Sequence, residues 1–378
     1  MLHELMTFFQ TALPFELIMA GLLLVVWIIV IIHTLLFYFR LSLFRAPRIL
    51  PSEIPLTILM VERNEEENLS KNLPGWASLA YPSYEVLVVD DFSGDNSLSV
   101  VGLMKVNFPR IRLTGLNQET RYSQKLSRNL ALKGASFPEV VFVSPAMVMP
   151  LQHWLPGIAS AFSRGKKMVV GYIATLPAKG FYHLLYRVES FFQQADSMAF
   201  CLNGLPYVVN EENIAFQKQA YFNINGFAGK IREEYLNMEL IFNKVIRSRE
   251  TTILPFAAHS LQREMKIGKS EFRDLLFRSY KLTDYLRFGK KLVIRLFEWM
   301  RIIYLPLFAV SFFILPVWWP LLASLLFIRF LFMAVSIKRI LNHLQEPKIF
   351  LTSLIYEVIS PYYKLGSRLR FNFMQKNL

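Results

Sequence analysis

Apolar residues follow two patterns along the chain: long runs towards both ends and short runs in the middle. The first long run extends from Ile18 to Phe39 and is interrupted by His33. Two more cover 302–318 and 319–337. A helix rising about 1.5 Å per residue spans a hydrocarbon core of about 30 Å with some 20 residues. The pattern therefore predicts three transmembrane helices. No small-residue cleavage site follows the first, which we interpret as a retained anchor.

The charges beside the first run predict its orientation. Arg40, Arg45 and Arg48 follow it, whereas the preceding segment carries Glu4 and Glu16 and has no Lys or Arg. Positive residues stay on the cytoplasmic side of a bacterial-type membrane. We therefore expect the N-terminus outside, and the middle of the chain on the cytoplasmic face of the inner (cytoplasmic) membrane.

The net charge of the chain indicates what it binds, and its cysteine content indicates whether disulfides stabilise it. The 378 residues carry a formal net charge of +14 and one cysteine, Cys201. A single cysteine excludes a disulfide framework. Lys and Arg alternate with Leu, Phe and Tyr over 279–299, as in an interfacial helix attracted to anionic lipid. No nucleic-acid recognition motif is present, so membrane lipids are the expected partner of this charge.

These patterns predict five parts. They are a transmembrane anchor over 1–49, a cytoplasmic domain over 50–270, a basic amphipathic interfacial segment over 271–300, a transmembrane hairpin over 301–340, and a membrane-associated tail over 341–378. Arg329 lies inside the third apolar run and is expected either to face another helix or to extend its charged end to the membrane surface, because a charge facing lipid is costly.

Short apolar runs alternate with polar, helix-like segments in the cytoplasmic domain. Strands are predicted at 55–61, 84–89, 110–113 and 139–143, and a helix at 123–135. This alternation predicts an open, mostly parallel α/β sheet with helices on both faces. Polar residues follow three of the strands: Arg63-Asn64-Glu65, Asp90-Asp91 and Ser144. Ligands bind beyond the carboxyl ends of such strands, so we expect a site there.

The motifs in this domain resemble those of family 2 glycosyltransferases, which have the GT-A fold. LTILMVERNEEENL and YPSYEVLVVDDFSGDNS look like the family's first two strand ends. QKLSRNLALKGA is similar to its basic helix, and NEENIAFQKQAYFNINGF to its acceptor-side stretch. The resemblance covers about 55–270. It implies sugar transfer from a nucleotide sugar, with a UDP-sugar preferred, to a lipid-linked or glycan acceptor.

The resemblance also implies roles for individual residues. Arg63, Asn64, Glu65, Asp90, Asp91 and Lys125 would contact the nucleotide. Asn213, Gln262 and Arg263 would lie on the acceptor side, and Glu239 is the candidate base that deprotonates the acceptor hydroxyl. An ionised carboxylate accepts strong hydrogen bonds from ribose hydroxyls or a base N–H. A dipole-stabilised acidic turn is the alternative for Asp90-Asp91, and a surface glutamate the alternative for Glu239.

Three departures from the family's motifs bear on catalysis. Pro145, Ala146 and Met147 stand where the family carries Asp-any-Asp, and none offers the hard oxygen ligand that Mg²⁺ or Mn²⁺ requires. Met238 precedes Glu239 in place of an acid. Met265 and Lys266 occupy the Arg-Trp positions of the family's Gln-x-x-Arg-Trp motif. We therefore expect no metal site, although the family uses Mg²⁺ or Mn²⁺.

Two functions remain open at this point. One is an inverting glycosyltransferase, in which Lys125, Arg128 and Lys218 could replace the metal's charge unless they are solvated helix faces. The other is a non-catalytic relative that serves as a partner subunit of another glycosyltransferase, or binds a nucleotide or glycan in envelope glycan synthesis. A scaffold without any ligand is disfavoured, because it has no need for the polar cluster at 63–65 and 90–91.

Overall fold

A computed structural model describes residues 13–376, which divide into two compact units. The first comprises 44–286 together with 340–349, and the second comprises 13–43, 287–339 and 350–376. Each unit has its own hydrophobic core.

A seven-stranded sheet forms the centre of the first unit, in the order β3-β2-β1-β4-β8-β6-β9. All strand pairs in it are parallel except those of β8, which runs antiparallel to β4 and β6. Its strands are β1 (Leu56–Glu62), β2 (Tyr84–Asp90), β3 (Ile111–Gly115), β4 (Glu139–Val143), β6 (Met168–Gly171), β8 (Ile214–Gln217) and β9 (Thr251–Leu254). The expected mixed, mostly parallel α/β sheet is confirmed.

Three short strands form a second sheet in the order β5-β10-β7. They are β5 (Met147–Val148), β7 (Ile173–Thr175) and β10 (Leu261–Arg263). Strand β10 pairs antiparallel with β5 and parallel with β7. This sheet fixes the segment that directly follows β4.

Helices connect the strands of the first unit. They are α2 (Glu66–Ala77), α3 (Ser97–Asn107), α4 (Ser123–Gly134), α5 (Trp154–Ser163), α6 (Phe181–Leu202), α7 (Gln219–Phe222), α8 (Met238–Val245) and α9 (Lys269–Tyr285). Trp76 of α2 and Trp154 of α5 are both buried and meet edge to face with ring centroids 5.4 Å apart. This aromatic pair lies in the core cluster that includes the apolar strand residues of β1 and β2.

The second unit consists of long apolar helices. Helix α1 (Pro14–Ile32) continues through a π-helical segment (His33–Phe39) and a short turn (Arg40–Ser42). Helices α10 (Phe288–Ile314), α11 (Trp319–Leu344) and α12 (Phe350–Lys376) complete it, with the last turns of α11 belonging to the first unit. Among the described residues, three helical stretches are long and apolar enough to cross a membrane: Pro14–Ser42, Phe288–Ile314 and Pro316–Leu344. One helix, α10, runs through residue 300, where the sequence predicted a boundary.

Candidate functional site

Three acidic residues lie at the carboxyl ends of the neighbouring parallel strands β1 and β2. Glu62 ends β1 and is paired in register with Asp90, which ends β2 and is followed by Asp91. All three are at most 5% exposed. Side chains at this edge lie where ligands of open α/β sheets bind. The structure therefore brings a carboxyl cluster to the edge where the sequence predicted a site.

Glu62 is a functional candidate that the sequence analysis missed. Burial and the neighbouring Asp90 carboxylate raise the pKa of Glu62 to about 8. Its Oε2 accepts a 3.4 Å hydrogen bond from Ser93, while its Oε1 is buried with no hydrogen-bond partner. Glu62 is therefore protonated at neutral pH beside an acidic neighbour. The available signal was a carboxyl residue ending an otherwise apolar strand in register with Asp90.

The turn at 63–65 is fastened to the turn after β2. Asn64 has a left-handed backbone (φ 57°). Its backbone N–H donates to Ser93 Oγ at 3.0 Å, and its Oδ1 accepts from the Gly94 N–H at 2.7 Å. Asparagine tolerates this conformation better than most residues. Asn64 thus joins the turn at 63–65 to the turn after β2 at 92–94, and we call these two turns the rim.

The other two predicted residues of this turn are tied less tightly. The Arg63 guanidinium is exposed and forms a 2.7 Å ion pair with Glu119. The backbone N–H of Glu65 donates to Ser97 Oγ at 2.9 Å, and its carboxylate accepts from Asn68 at 2.6 Å. Exposed ion pairs contribute little to stability, so Arg63 can exchange Glu119 for a ligand.

Asp90 and Asp91 have different surroundings. Asp91 accepts hydrogen bonds from Ser123 Oγ at 3.2 Å and Ser127 Oγ at 2.6 Å, which dock α4 onto the end of β2. Asp90 accepts from the Ser93 N–H at 3.2 and 3.3 Å and adjoins Glu62. Asp91 therefore holds the fold together, and Asp90 is the carboxylate in contact with the rim.

Phe92 is a second residue that the sequence analysis missed. It follows the acidic pair with φ 61°, and its side chain is 43% exposed. A left-handed backbone is uncommon for an aromatic residue and is most often kept at functional sites. No sequence signal marked it, because Phe residues are frequent throughout this chain.

The charged ends of the three basic residues considered as replacements for a metal all bind protein atoms. Burial lowers the pKa of Lys125, whose ammonium donates to the backbone oxygen of Glu233. Arg128 binds both carboxylate oxygens of Glu211. Lys218 donates to the backbone oxygen of Ala135 at 2.5 Å. The alternative of solvated helix faces is wrong for Lys125 and Arg128, because protein atoms bind their charged ends.

A cavity of about 280 Å³ lies beside this basic region. Its polar lining comes from α6, the segment before β8, strand β10 and helix α9. It includes Gln193, Glu211, Glu212, Arg263, Asp274 and Arg278. Arg263, the last residue of β10, forms an ion pair with Glu212. Burial opposes ionisation of Glu211, but Arg128 holds the pKa of that carboxyl below its usual range. The lining thus carries more carboxyl groups (Glu211, Glu212, Glu271 and Asp274) than guanidinium groups (Arg263 and Arg278).

Glu239, the candidate base, is not open to an acceptor. It lies at the start of α8, is 0% exposed, and forms an ion pair with Arg278. Its Oε2 accepts a 2.9 Å hydrogen bond from the Asn237 N–H. The charge of Glu239 raises the pKa of Arg278. The alternative of a surface glutamate is wrong, because Glu239 is buried, and its ion pair positions Arg278 on the cavity wall.

The predicted acceptor-side residues occupy three different environments. Asn213 is 2% exposed. Its Oδ1 accepts a hydrogen bond from Trp154 Nε1 at 2.9 Å, and its Nδ2 donates to the backbone oxygen of Tyr172 at 2.8 Å. Gln262 is exposed on β10. Arg263 lines the cavity. The structure brings only Arg263 to the cavity, because the amide of Asn213 is used within the core.

Residues 145–147, which the sequence analysis compared with a metal motif, are built into the fold. Met147 is 0% exposed within the core cluster, and its backbone oxygen accepts from Trp76 Nε1 at 3.0 Å. The Pro145 oxygen accepts from Asn72 Nδ2 at 2.8 Å. Over the residues that the structure describes, no group of three or more His, Cys, Asp or Glu side chains could hold a metal ion. Residues 145–147 therefore do not fit Mg²⁺ or Mn²⁺.

Comparison with known proteins identifies the fold. No family model and no curated protein matches the chain. Among solved structures, the mannosyltransferase PcManGT from Pyrobaculum calidifontis, in complex with GDP-Man and Mn²⁺, matches with a TM-score of 0.53 at 15% identity. This match covers 92% of this chain and 98% of that one. The chain thus shares the GT-A-like fold of a glycosyltransferase.

Weaker matches include TarS from S. aureus. Its 1–349 fragment in complex with UDP-GlcNAc has a TM-score of 0.47 at 14% identity, covering 83% of this chain and 92% of that one. A longer TarS chain has a TM-score of 0.45 at 14% identity and covers 65% of this chain. This chain spans 43% of the longer TarS chain.

Proposed function

We propose that the protein is a membrane-anchored relative of family 2 glycosyltransferases that binds a nucleotide sugar, with a UDP-sugar preferred. The observation that carries this proposal is the Glu62–Asp90 carboxyl pair at the ends of adjacent strands, bordered by the Asn64 turn. The fold shared with a mannosyltransferase solved with GDP-Man supports it. Its donor would be a nucleotide sugar and its acceptor a lipid-linked or glycan molecule.

In this proposal the rim contacts the nucleoside. The Asp90 carboxylate accepts hydrogen bonds from a base N–H or from ribose hydroxyls. The exposed ring of Phe92 can stack on the base, since aromatic rings stack on any base face. Arg63 lies on the same rim and can turn from Glu119 towards phosphate. Glu65 and Asp91 support the rim, while Lys125 carries a buried positive charge on the neighbouring helix α4.

Catalytic sugar transfer needs positive charge at the leaving diphosphate and a base at the acceptor. Met147 lies in the core, and Glu239 is paired with Arg278. Arg128 and Arg263 are likewise paired, with Glu211 and Glu212. These pairings favour the second candidate function, a non-catalytic subunit that binds a nucleotide or glycan beside a partner glycosyltransferase.

Membrane anchoring is part of the same proposal. The three apolar helical stretches would place the N-terminus outside and the first unit on the cytoplasmic face, in the orientation that Arg40, Arg45 and Arg48 favour. The described part of the anchor would end near residue 49, and the first unit would act as the nucleotide-binding domain. The basic turns at the start of α10 would meet anionic lipid headgroups.

Calorimetric titration of the detergent-purified full chain tests nucleotide binding. UDP, UDP-sugars and GDP-sugars are titrated with Mg²⁺, with Mn²⁺ and with EDTA. We expect binding of one nucleotide class that EDTA leaves unchanged and that Asp90→Asn weakens at least tenfold. Glu67→Gln is the matched control, because this exposed carboxylate lies in the first turn of α2, which directly follows the turn at 63–65. Metal-dependent binding would contradict the assignment of 145–147, and absence of any binding would overturn the nucleotide site.

Turnover separates the two candidate functions. Release of free nucleoside diphosphate from the bound nucleotide sugar is measured in native membranes, which supply the acceptor. Steady release that Arg278→Lys reduces supports a metal-independent transferase. Binding without release, in membranes that contain the natural acceptor, supports the partner subunit.

A further inference from the structure

Helix α12 has an apolar face that the described part of the chain leaves largely exposed. Leu351, Ile355 and Ile359 recur every four residues and are 72%, 61% and 54% exposed. Residues at this spacing share one face of a helix. An exposed apolar row of this kind requires either a partner or lipid.

The opposite side of α12 carries a buried charge. Glu357 is 4% exposed and binds the Arg329 guanidinium, with Nη1 donating to Oε2 at 2.8 Å. Arg301 of α10 lies 3.4 Å from the same carboxylate. Arg329 is ten residues beyond Trp319, the first residue of α11, which corresponds to about 15 Å along the helix. That is half of a hydrocarbon core of about 30 Å.

The first half of α12 runs antiparallel to α11. Lys338 of α11 lies 5.1 Å from the ring centroid of Phe350, the first residue of α12. Glu357 then meets Arg329. Seven residues of α12, about 10 Å, therefore match nine residues of α11, about 14 Å, in the reverse direction. This half climbs along α11 from the level of Lys338 to the level of Arg329.

The second half of α12 does not continue this climb. Pro361 lies inside the helix, and prolines bend helices. Arg368 then forms a 3.2 Å ion pair with Glu298 of α10. Eleven residues of α12, about 16 Å, separate Glu357 from Arg368, but their partners Arg301 and Glu298 are only three residues apart on α10. This half therefore crosses α10 at a steep angle.

We infer that α12 is a re-entrant membrane helix. It enters the bilayer obliquely beside α11 as far as the Arg329–Glu357 pair, bends at Pro361 within one continuous helix, and keeps its C-terminal end at the side from which it entered. The row Leu351, Ile355 and Ile359 faces acyl chains. Glu357 offsets the charge of two arginines that would otherwise be unpaired in the membrane. This inference rests on the proposed membrane anchoring.

Single-cysteine variants test the path of α12. The only native cysteine is Cys201, so Cys201→Ala provides the background. Asn372→Cys reports the C-terminal end, Val317→Cys the turn between α10 and α11, and Lys105→Cys the first unit; all three positions are exposed. A membrane-impermeant maleimide is applied to right-side-out and inverted vesicles. We expect Asn372→Cys to react from the same side as Lys105→Cys, and Val317→Cys from the opposite side.

The depth of two α12 positions in the bilayer is measured in vesicles of phosphatidylethanolamine and phosphatidylglycerol. A spin label at Ile355→Cys is compared with one at Asn372→Cys through collisions with oxygen, which enters lipid, and with a water-soluble nickel chelate. We expect the label at Ile355→Cys to collide mainly with oxygen and the label at Asn372→Cys to collide mainly with the nickel chelate.

Each alternative has its own outcome. Labelling of Asn372→Cys from the side of Val317→Cys would mean that α12 crosses the membrane, and nickel access at Ile355→Cys would mean that it lies on the surface. Either result overturns the re-entrant path. If Val317→Cys and Lys105→Cys react from the same side, the anchoring proposal itself fails.

Discussion

Replacing Glu62 by glutamine is expected to remove a pH dependence of stability that the native protein shows between about pH 4.5 and 8. Burial beside Asp90 raises the pKa of Glu62 from 4.5 to about 8 in the folded state. Its contribution to stability is complete below pH 4.5, where the carboxyl is protonated in both states. The contribution is lost as the pH rises through 8, because the folded state must then hold a buried charge. Glutamine resembles the protonated form and does not titrate.

The size of the stability loss at high pH follows from the pKa shift of Glu62. Each pKa unit corresponds to about 1.4 kcal/mol, so ionising Glu62 in the folded state costs at most about 5 kcal/mol. The rim is open to water around Ser93 and Asn64, and screening reduces the expected loss to about 2 kcal/mol. For a unit of this size, about 2 kcal/mol changes the unfolding temperature by roughly 4–8 °C.

The assay is thermal unfolding of the detergent-purified chain, followed by tryptophan fluorescence at pH 6 and pH 9. We expect the unfolding temperature of the native protein to fall by several degrees more than that of Glu62→Gln. Glu67→Gln is the control, since this residue is exposed. The infrared band of a protonated carboxyl should be present at neutral pH and absent in Glu62→Gln. Equal pH slopes together with no such band would refute the assignment of a proton to Glu62.

Three further substitutions test the buried contacts. Glu239→Gln should destabilise the protein by about 2–4 kcal/mol in urea unfolding, because it leaves Arg278 without its partner charge. Asn213→Ala should remove a buried amide whose oxygen and nitrogen are both hydrogen-bonded, and should lower the free energy of unfolding by about 2–3 kcal/mol. Gly226→Ala should be destabilising by thermal unfolding, because φ is 54° and a Cβ there would overlap the ring of Tyr221.

Matched variants decide whether these losses have the stated causes. Arg273→Ala removes an exposed arginine of the same helix as Arg278 and should change stability by less than about 0.5 kcal/mol. Gly229→Ala carries the same backbone strain (φ 74°) but has open space around its Cβ, so it should lose less than Gly226→Ala. Equal losses at the two glycines would exclude the contact with Tyr221 as the cause.

The central strands were predictable because their signals are local. Strands β1, β2 and β4 are apolar runs bounded by polar turns, and the structure places them side by side. Their parallel order places residues 62–65, 90–91 and 144 at one edge. The prediction of a site at this edge followed from this order alone, without knowledge of any contact.

The parts that were not predictable depend on distant pairing. The second sheet joins β5 to β10, more than a hundred residues apart, and each strand is too short to show a periodicity. The burial of Glu239 depends on Arg278, which lies on α9. Helix α10 runs through the basic-to-apolar boundary near residue 300, because a change of hydropathy does not by itself end a helix.

The small sheet makes position 147 unsuitable for a metal ligand. Met147 fills the core and also pairs with Arg263 in the ladder between β5 and β10. An aspartate at 147 would place a carboxylate among apolar side chains, where an unpaired charge opposes folding. A metal ligand at 147 would therefore require rebuilding both the small sheet and the core beneath it. An engineer who wished to add metal-assisted chemistry to this fold would have to place the ligands on another segment.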